Sequence, residues 1–211
     1  MDHFIFILEL IGTFAFAVSG AAAAVDSHLD LFGIFFCGVI TALGGGVFRD
    51  ILLGKLPPTM FCQYVYLIVA LSSSLALFFF ARYCHKTFVQ QKEKLAALNN
   101  IFDAIGLGVF TIVGISAANT AGFGDNGFFV LFLGVATGCG GGILRDICLN
   151  RVPLILSKRI YAVASLSGGL LYSLLTAAHA APWLSVLLSI ALIFILRILA
   201  ARFRWDLPKA F

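Results

Sequence analysis

A seven-residue stretch, Gly44-Gly45-Gly46-Val47-Phe48-Arg49-Asp50, returns 96 positions later as Gly140-Gly141-Gly142-Ile143-Leu144-Arg145-Asp146, each time deep in an apolar run. Consecutive glycines weaken a helix, because glycine has the most backbone freedom to lose and no side chain to pack. Ionised side chains in hydrocarbon are costly and mark function by default. A chain that places both together twice is built around two equivalent helices. The surrounding composition fixes the environment: 61% of the 211 residues are hydrophobic and 11% charged, against about 25% charged in a soluble domain. The expected fold is all-α and membrane-integral, one membrane domain over residues 1–211. At about 20 residues per helix, the length accommodates seven spans. The first apolar run lacks a basic flank, which fits a retained helix better than a cleaved signal.

The spans read as 4–25, 31–53, 60–81, 101–118, 127–149, 154–177 and 183–200. Prolines close the second and fifth, at Pro57-Pro58 and Pro153. The halves match beyond the motif. Thr41 and Thr137 precede the triplets by three positions, Gly38 matches Gly134, and Gly54-Lys55-Leu56-Pro57 matches Asn150-Arg151-Val152-Pro153. Glu9 and Gly12 in the first span correspond to Asp103 and Gly106 in the fourth. Residues 1–82 thus form one three-helix repeat, 83–100 a polar linker, 101–178 a second repeat, and 179–211 a seventh helix with a short tail.

Three spans per repeat place the second copy upside down relative to the first. Inverted repeats go with a solute site at the repeat interface. The basic residues Arg82, Lys86, Lys92, Lys94, Arg151, Lys158, Arg159, Arg202, Arg204 and Lys209 fall on one side, joined by Arg197, read as pointing there from the last helix. Lys55 stands with Asp2, His3, Asp125 and His179 on the other. Positive residues favour the cytoplasm, so the N-terminus is expected outside and the C-terminus inside. Basic residues at that face attract anionic lipid headgroups.

The glycine triplets are expected to kink the second and fifth helices and to free carbonyls in an unwound turn. Such backbone is tolerated at membrane depth only in protein or along a water-filled path. Neighbours on one helix do not face each other, so Arg49 is expected to pair with Asp146 and Arg145 with Asp50 across the inverted repeats. Replacing either arginine by alanine is expected to alter gating or selectivity more than folding. Ser19, Thr13, Thr41 and Thr137 can offer hydroxyls to a hydrated path or bond back to their own helices. Glu9, Asp103, Lys55 and Arg151 are secondary candidates, with Asp103 read as an acidic group favoured by its helix N-terminus. Tyr64, Tyr66 and Tyr161 read as interfacial belts.

Other chemistries find little support. Cys37, Cys62, Cys84, Cys139 and Cys148 lack metal or redox spacing, and His3, His28, His85 and His179 are scattered. No nucleophile, base and acid set suggests an enzyme, and no catalytic residue or cofactor is expected. The net charge of +4 resides at helix ends and does not form a nucleic-acid surface.

The doubled GGGxxRD motif on matching repeat helices, with the 3+3+1 plan, resembles the prokaryotic branch of the trimeric intracellular cation (TRIC) channel family over essentially the whole chain. The resemblance implies a homotrimer with an hourglass pore inside each protomer, lined by the second and fifth helices. It implies passive conduction of K+, with Na+ also permeant, in the bacterial inner membrane. By position, the pore region falls to Gly44, Gly45, Gly46, Arg49, Asp50, Gly140, Gly141, Gly142, Arg145 and Asp146. The alternative is a secondary transporter of a small solute such as glycine, since this domain is also associated with glycine transport.

Overall fold

The structure, a computed structural model, describes residues 2–83, 92–157, 160–203 and 205. Cys84, His85, Lys86, Lys158, Arg159, Arg204 and Lys209 lie outside the described residues, as do the side chains of Asp2, Lys92 and Lys94. Among the described residues the chain is helical: α1 (Asp2–Asp26), α2 (Leu31–Leu52), α3 (Thr59–Cys62), α4 (Val65–Tyr83), α5 (Lys92–Ala118), a π-helical turn (Asn119–Phe123), α6 (Gly127–Cys148), α7 (Leu154–Ser157), α8 (Ile160–Ala177) and α9 (Pro182–Phe203). Seven of these helices, α1, α2, α4, α5, α6, α8 and α9, are long and apolar enough to cross a membrane.

The helices α2 and α6 are delimited by the same local chemistry. The side chain of Asp30 accepts from the Gly33 amide at 2.8 Å, and that of Asn126 accepts from the Phe129 amide at 3.0 Å. Each carboxylate or amide oxygen thereby satisfies an orphan N–H of the first turn. At the other end, the Lys55 amide donates to the Asp50 carbonyl and the Gly54 amide to the Ile51 carbonyl. Arg151 and Asn150 do the same to Asp146 and Ile147. Both ends are Schellman caps. Gly54 (φ 70) and Asn150 (φ 52) hold the left-handed position, which glycine and asparagine tolerate best.

Sequence and structure differ at three boundaries. The fourth span begins at Lys92, so much of the expected linker is helix; a run of Lys, Glu, Leu and Ala has high helix propensity whatever its polarity. The third span is divided, with the four-residue α3 split from α4. Finally, α2 and α6 run without interruption through their triplets. The kinks expected there are not shown, and neither is an unwound turn.

What the triplets do instead is bring two backbones together. A Cβ on Gly45 would run into the Thr137 carbonyl, and one on Gly141 into the Thr41 carbonyl. The contact is reciprocal between equivalent positions, as in an interface about a two-fold axis. The same axis relates α1 and α5. A Cβ on Gly12 would meet Phe110 and one on Gly106 would meet Phe16, while the two rings stack with centroids 5.4 Å apart. Thus α1, α2, α5 and α6 form the centre, with small residues allowing the close approach. On the outside, α4 covers α1 and α2, and α8 covers α6. The seventh spanning helix, α9, packs on α8 and α5, so among the described residues it chiefly covers the second repeat.

Candidate functional site

The motif arginines and aspartates stand in the last turns of α2 and α6, where a cation is favoured by the helix dipole. They do not pair across the repeats. Arg49 Nε donates to Asp50 Oδ1 at 2.8 Å, and Arg145 Nε donates to Asp146 Oδ1 at 2.8 Å. The expectation of Arg49–Asp146 and Arg145–Asp50 pairs is corrected. It treated side chains as pointing along their Cβ vectors, whereas an arginine is long enough to fold back on its neighbour. The second carboxylate oxygen then caps the short helix beyond the turn: Asp50 Oδ2 accepts from the Thr59 amide and Asp146 Oδ2 from the Leu154 amide, both at 2.8 Å. This is why the third span begins with a separate turn.

Each arginine also reaches the leading helix of its own repeat. Arg49 Nη1 lies 3.3 Å from Glu9 Oε1, and the Tyr66 hydroxyl donates to Glu9 Oε2 at 2.5 Å. In the second repeat, Arg145 Nη1 lies 3.3 Å from Asp103 Oδ1 and the Tyr161 hydroxyl 3.4 Å from the same oxygen. Glu9, Arg49, Asp50 and Tyr66 therefore form one cluster, and Asp103, Arg145, Asp146 and Tyr161 its counterpart.

The second cluster has two members without equivalents in the first. Ser19, on α1, accepts from Arg145 Nη1 at 3.0 Å. Arg197, on α9, donates through Nη2 to Asp103 Oδ2 at 3.3 Å, with its Cζ 4.4 Å from the centre of the Tyr161 ring. Arg197 was expected at the basic membrane face. It is buried instead, because α9 continues to Phe203 and sets it more than a turn inside the helix end. A lone arginine in an apolar run was the available signal. Asp103 sits well inside α5, not at its N-terminus, and Tyr66 and Tyr161 are buried hydrogen-bond donors, not belt residues; Tyr64 is exposed.

The remaining candidates divide. The Thr41 and Thr137 hydroxyls donate to their own helices, at Cys37 O (2.5 Å) and Leu133 O (2.6 Å). Arg151 binds Asp26 and Ser27 at the surface, 3.1 and 2.6 Å away, and Lys55 is exposed. Neither joins a cluster. Among the described residues, no group of three or more His, Cys, Asp or Glu side chains could hold a metal.

The clusters differ in charge and access. The first counts two carboxylates against one guanidinium, the second two against two. A cavity of ≈ 30 Å³ adjoins the first, lined by Glu9, Thr13, Gly46, Arg49, Asp50 and Tyr66 among others. That is room for a water molecule or a small ion. The Glu9 side chain keeps 18% of its exposure, against 3% for Asp103. By formal count the first cluster is a partly exposed, net-negative site beside a water-sized cavity, and the second a neutral, buried one.

A family model described as Glycine transporter matches the chain twice, over residues 6–82 and 100–177. The UPF0126 inner membrane protein YadS of Escherichia coli is 33% identical over 201 residues, covering 95% of this chain and 92% of the relative. A solved prokaryotic TRIC channel in 0.5 M KCl superposes with a TM-score of 0.87 at 33% identity, over 98% of this chain and 100% of its own. A TRIC cation channel from a structural study of conductance gives 0.83 at 38% identity, over 97% and 96%.

Proposed function

The chain belongs to the TRIC channel family, in the branch that includes the UPF0126 membrane proteins, and from that premise we propose that it conducts monovalent cations, K+ and also Na+. Membership sets it among channels and apart from enzymes. The observation that carries the reading is the likeness to a prokaryotic TRIC channel over 98% of the chain. In this reading the pore lies inside each protomer of a homotrimer, where α2 and α6 meet. Its charged lining is Glu9, Arg49, Asp50, Asp103, Arg145 and Asp146. Gly44, Gly45, Gly140 and Gly141 set the helix spacing, Gly46 and Gly142 sit beside the motif arginines, and the Thr41, Thr137 and Ser19 hydroxyls lie beside the pore. Carboxylate and phenol oxygens around a water-sized space suit a partly dehydrated monovalent cation, and the net negative charge at Glu9 and Asp50 disfavours anions. The protein works in the bacterial inner membrane with its C-terminus in the cytoplasm and anionic lipid at its basic face. It uses no cofactor beyond the permeant ions.

The second reading, a carrier of glycine or a similar solute, is favoured by the family model's description and by the inverted repeats such carriers share. Potassium flux into liposomes containing the purified protein separates the two. Unitary current steps that do not saturate at low concentration are expected. Saturable, ion-coupled glycine uptake without such steps would sink the channel reading. Glu9→Gln should lower cation flux by about tenfold if its charge supplies even a small part of the contact energy of a nearby ion.

A further inference from the structure

The two clusters are related by the same axis that relates Gly45 to Gly141 and Phe16 to Phe110, so each group in one has an expected place in the other. Glu9 corresponds to Asp103, Arg49 to Arg145, Asp50 to Asp146 and Tyr66 to Tyr161. One cation breaks the correspondence. Arg197 stands against the outer oxygen of Asp103, at 3.3 Å, and over the Tyr161 ring, at 4.4 Å. The helix that carries it belongs to neither repeat and, among the described residues, packs chiefly on the second. In the first repeat no protein cation fills the matching place among the described residues. A ≈ 30 Å³ cavity borders the same three groups, Glu9, Asp50 and Tyr66.

We propose that Arg197 is a tethered cation occupying in the second repeat the position that a free monovalent cation takes beside Glu9 and Tyr66 in the first. The carboxylate and aromatic face that receive the guanidinium are the chemistry that receives an unhydrated cation. Arg197 Nε is buried without a hydrogen-bond partner, so the guanidinium is held by charge and ring face more than by a matched set of acceptors. A group placed to fill a cation's position need satisfy no more than that. The consequence is an asymmetric path: one half-site loads an ion from solution and the other is permanently loaded by the chain. The assignment rests on the cation-conducting reading but is tested by binding, not flux.

The test uses crystals of the purified full-length protein soaked in Tl+, a scattering substitute for K+. In the wild type, anomalous density is expected beside Glu9 and absent beside Asp103. Arg197→Gln leaves Arg145 against Asp103 and Asp146, the charge balance of the first cluster. It should gain a second Tl+ peak per protomer beside Asp103, and Arg197→Lys should lose that peak again. A Tl+ peak beside Asp103 in the wild type, or none beside Glu9, overturns the proposal, and this comparison holds even where Arg197→Gln does not fold. A folded Arg197→Gln protein that leaves Asp103 empty overturns it as well. A wild type that loads Tl+ at Glu9 alone yet passes no K+ refutes conduction and leaves the assignment standing.

Discussion

Arg49 and Arg145 each bind the carboxylate that follows them in the chain, and the energetics of the site turn on that pairing. Removing one partner of a buried ion pair costs about 3–5 kcal/mol, since it strands the other charge. Arg145→Met should approach that cost, because it strands the sealed Asp146 while Arg197 still holds Asp103. Arg49→Met should cost less, because Glu9 keeps contact with the exterior. Thermal denaturation in detergent measures both, and equal losses would contradict the difference in access. A loss of that size in either variant would overturn the expectation that these arginines matter to gating or selectivity more than to folding. The glycines also separate. Gly45→Ala drives a Cβ into the Thr137 carbonyl and should destabilise by about 1–3 kcal/mol, the range for overpacking. Gly46 has only the Arg49 guanidinium near its Cβ position, 4.0 Å away, so Gly46→Ala should be neutral or slightly stabilising, as for a helical Gly→Ala change. The motif residues were legible in the sequence because their cost in lipid is high. Their partners were not, because Tyr66, Tyr161 and Arg197 are ordinary residues whose role depends on which helix faces them.

Seven spans were legible from apolar runs, and the repeat from matched glycines, threonines and prolines. The division of the third span was not, because Gln63 and Tyr64 interrupt the apolar run too briefly to mark a break. The cause is a hydrogen bond from elsewhere, from the Thr59 amide to Asp50. Asp50→Ala should free the Thr59 amide and loosen α3 by about 0.5–2 kcal/mol, the worth of a side-chain cap. Hydrogen exchange should show faster loss of protection at Thr59 than in the core of α2. Unchanged protection would mean that packing, not the cap, holds α3. The triplets illustrate the opposite limit. Glycine runs in a helix fit either a break or a close helix contact, and sequence alone does not choose. Here a continuous helix pressed against its twin keeps the backbone groups of the triplet bonded within the helix, which lipid demands.

At the scale of the molecule, the surface pair of Arg151 with Asp26 ties the loop after α6 to the loop after α1, which alternation of spans puts on one side of the membrane. Cysteine substitutions should report this directly. Lys55→Cys should react with an impermeant thiol reagent added outside intact cells, and Arg151→Cys only after permeabilisation; the reverse pattern would invert the assigned orientation. The asymmetry of the two clusters also sets an order of events during synthesis. Every group of the first cluster lies on α1, α2 and α4, so it can close once residue 83 has left the ribosome. The second borrows Ser19 from the first helix to be made and Arg197 from the last. Its completion therefore waits for the final helix to insert, and the seventh span acts as the closing step of biogenesis. A nascent chain arrested before Pro182 should hold the first set of ion pairs in finished form and the second one cation short.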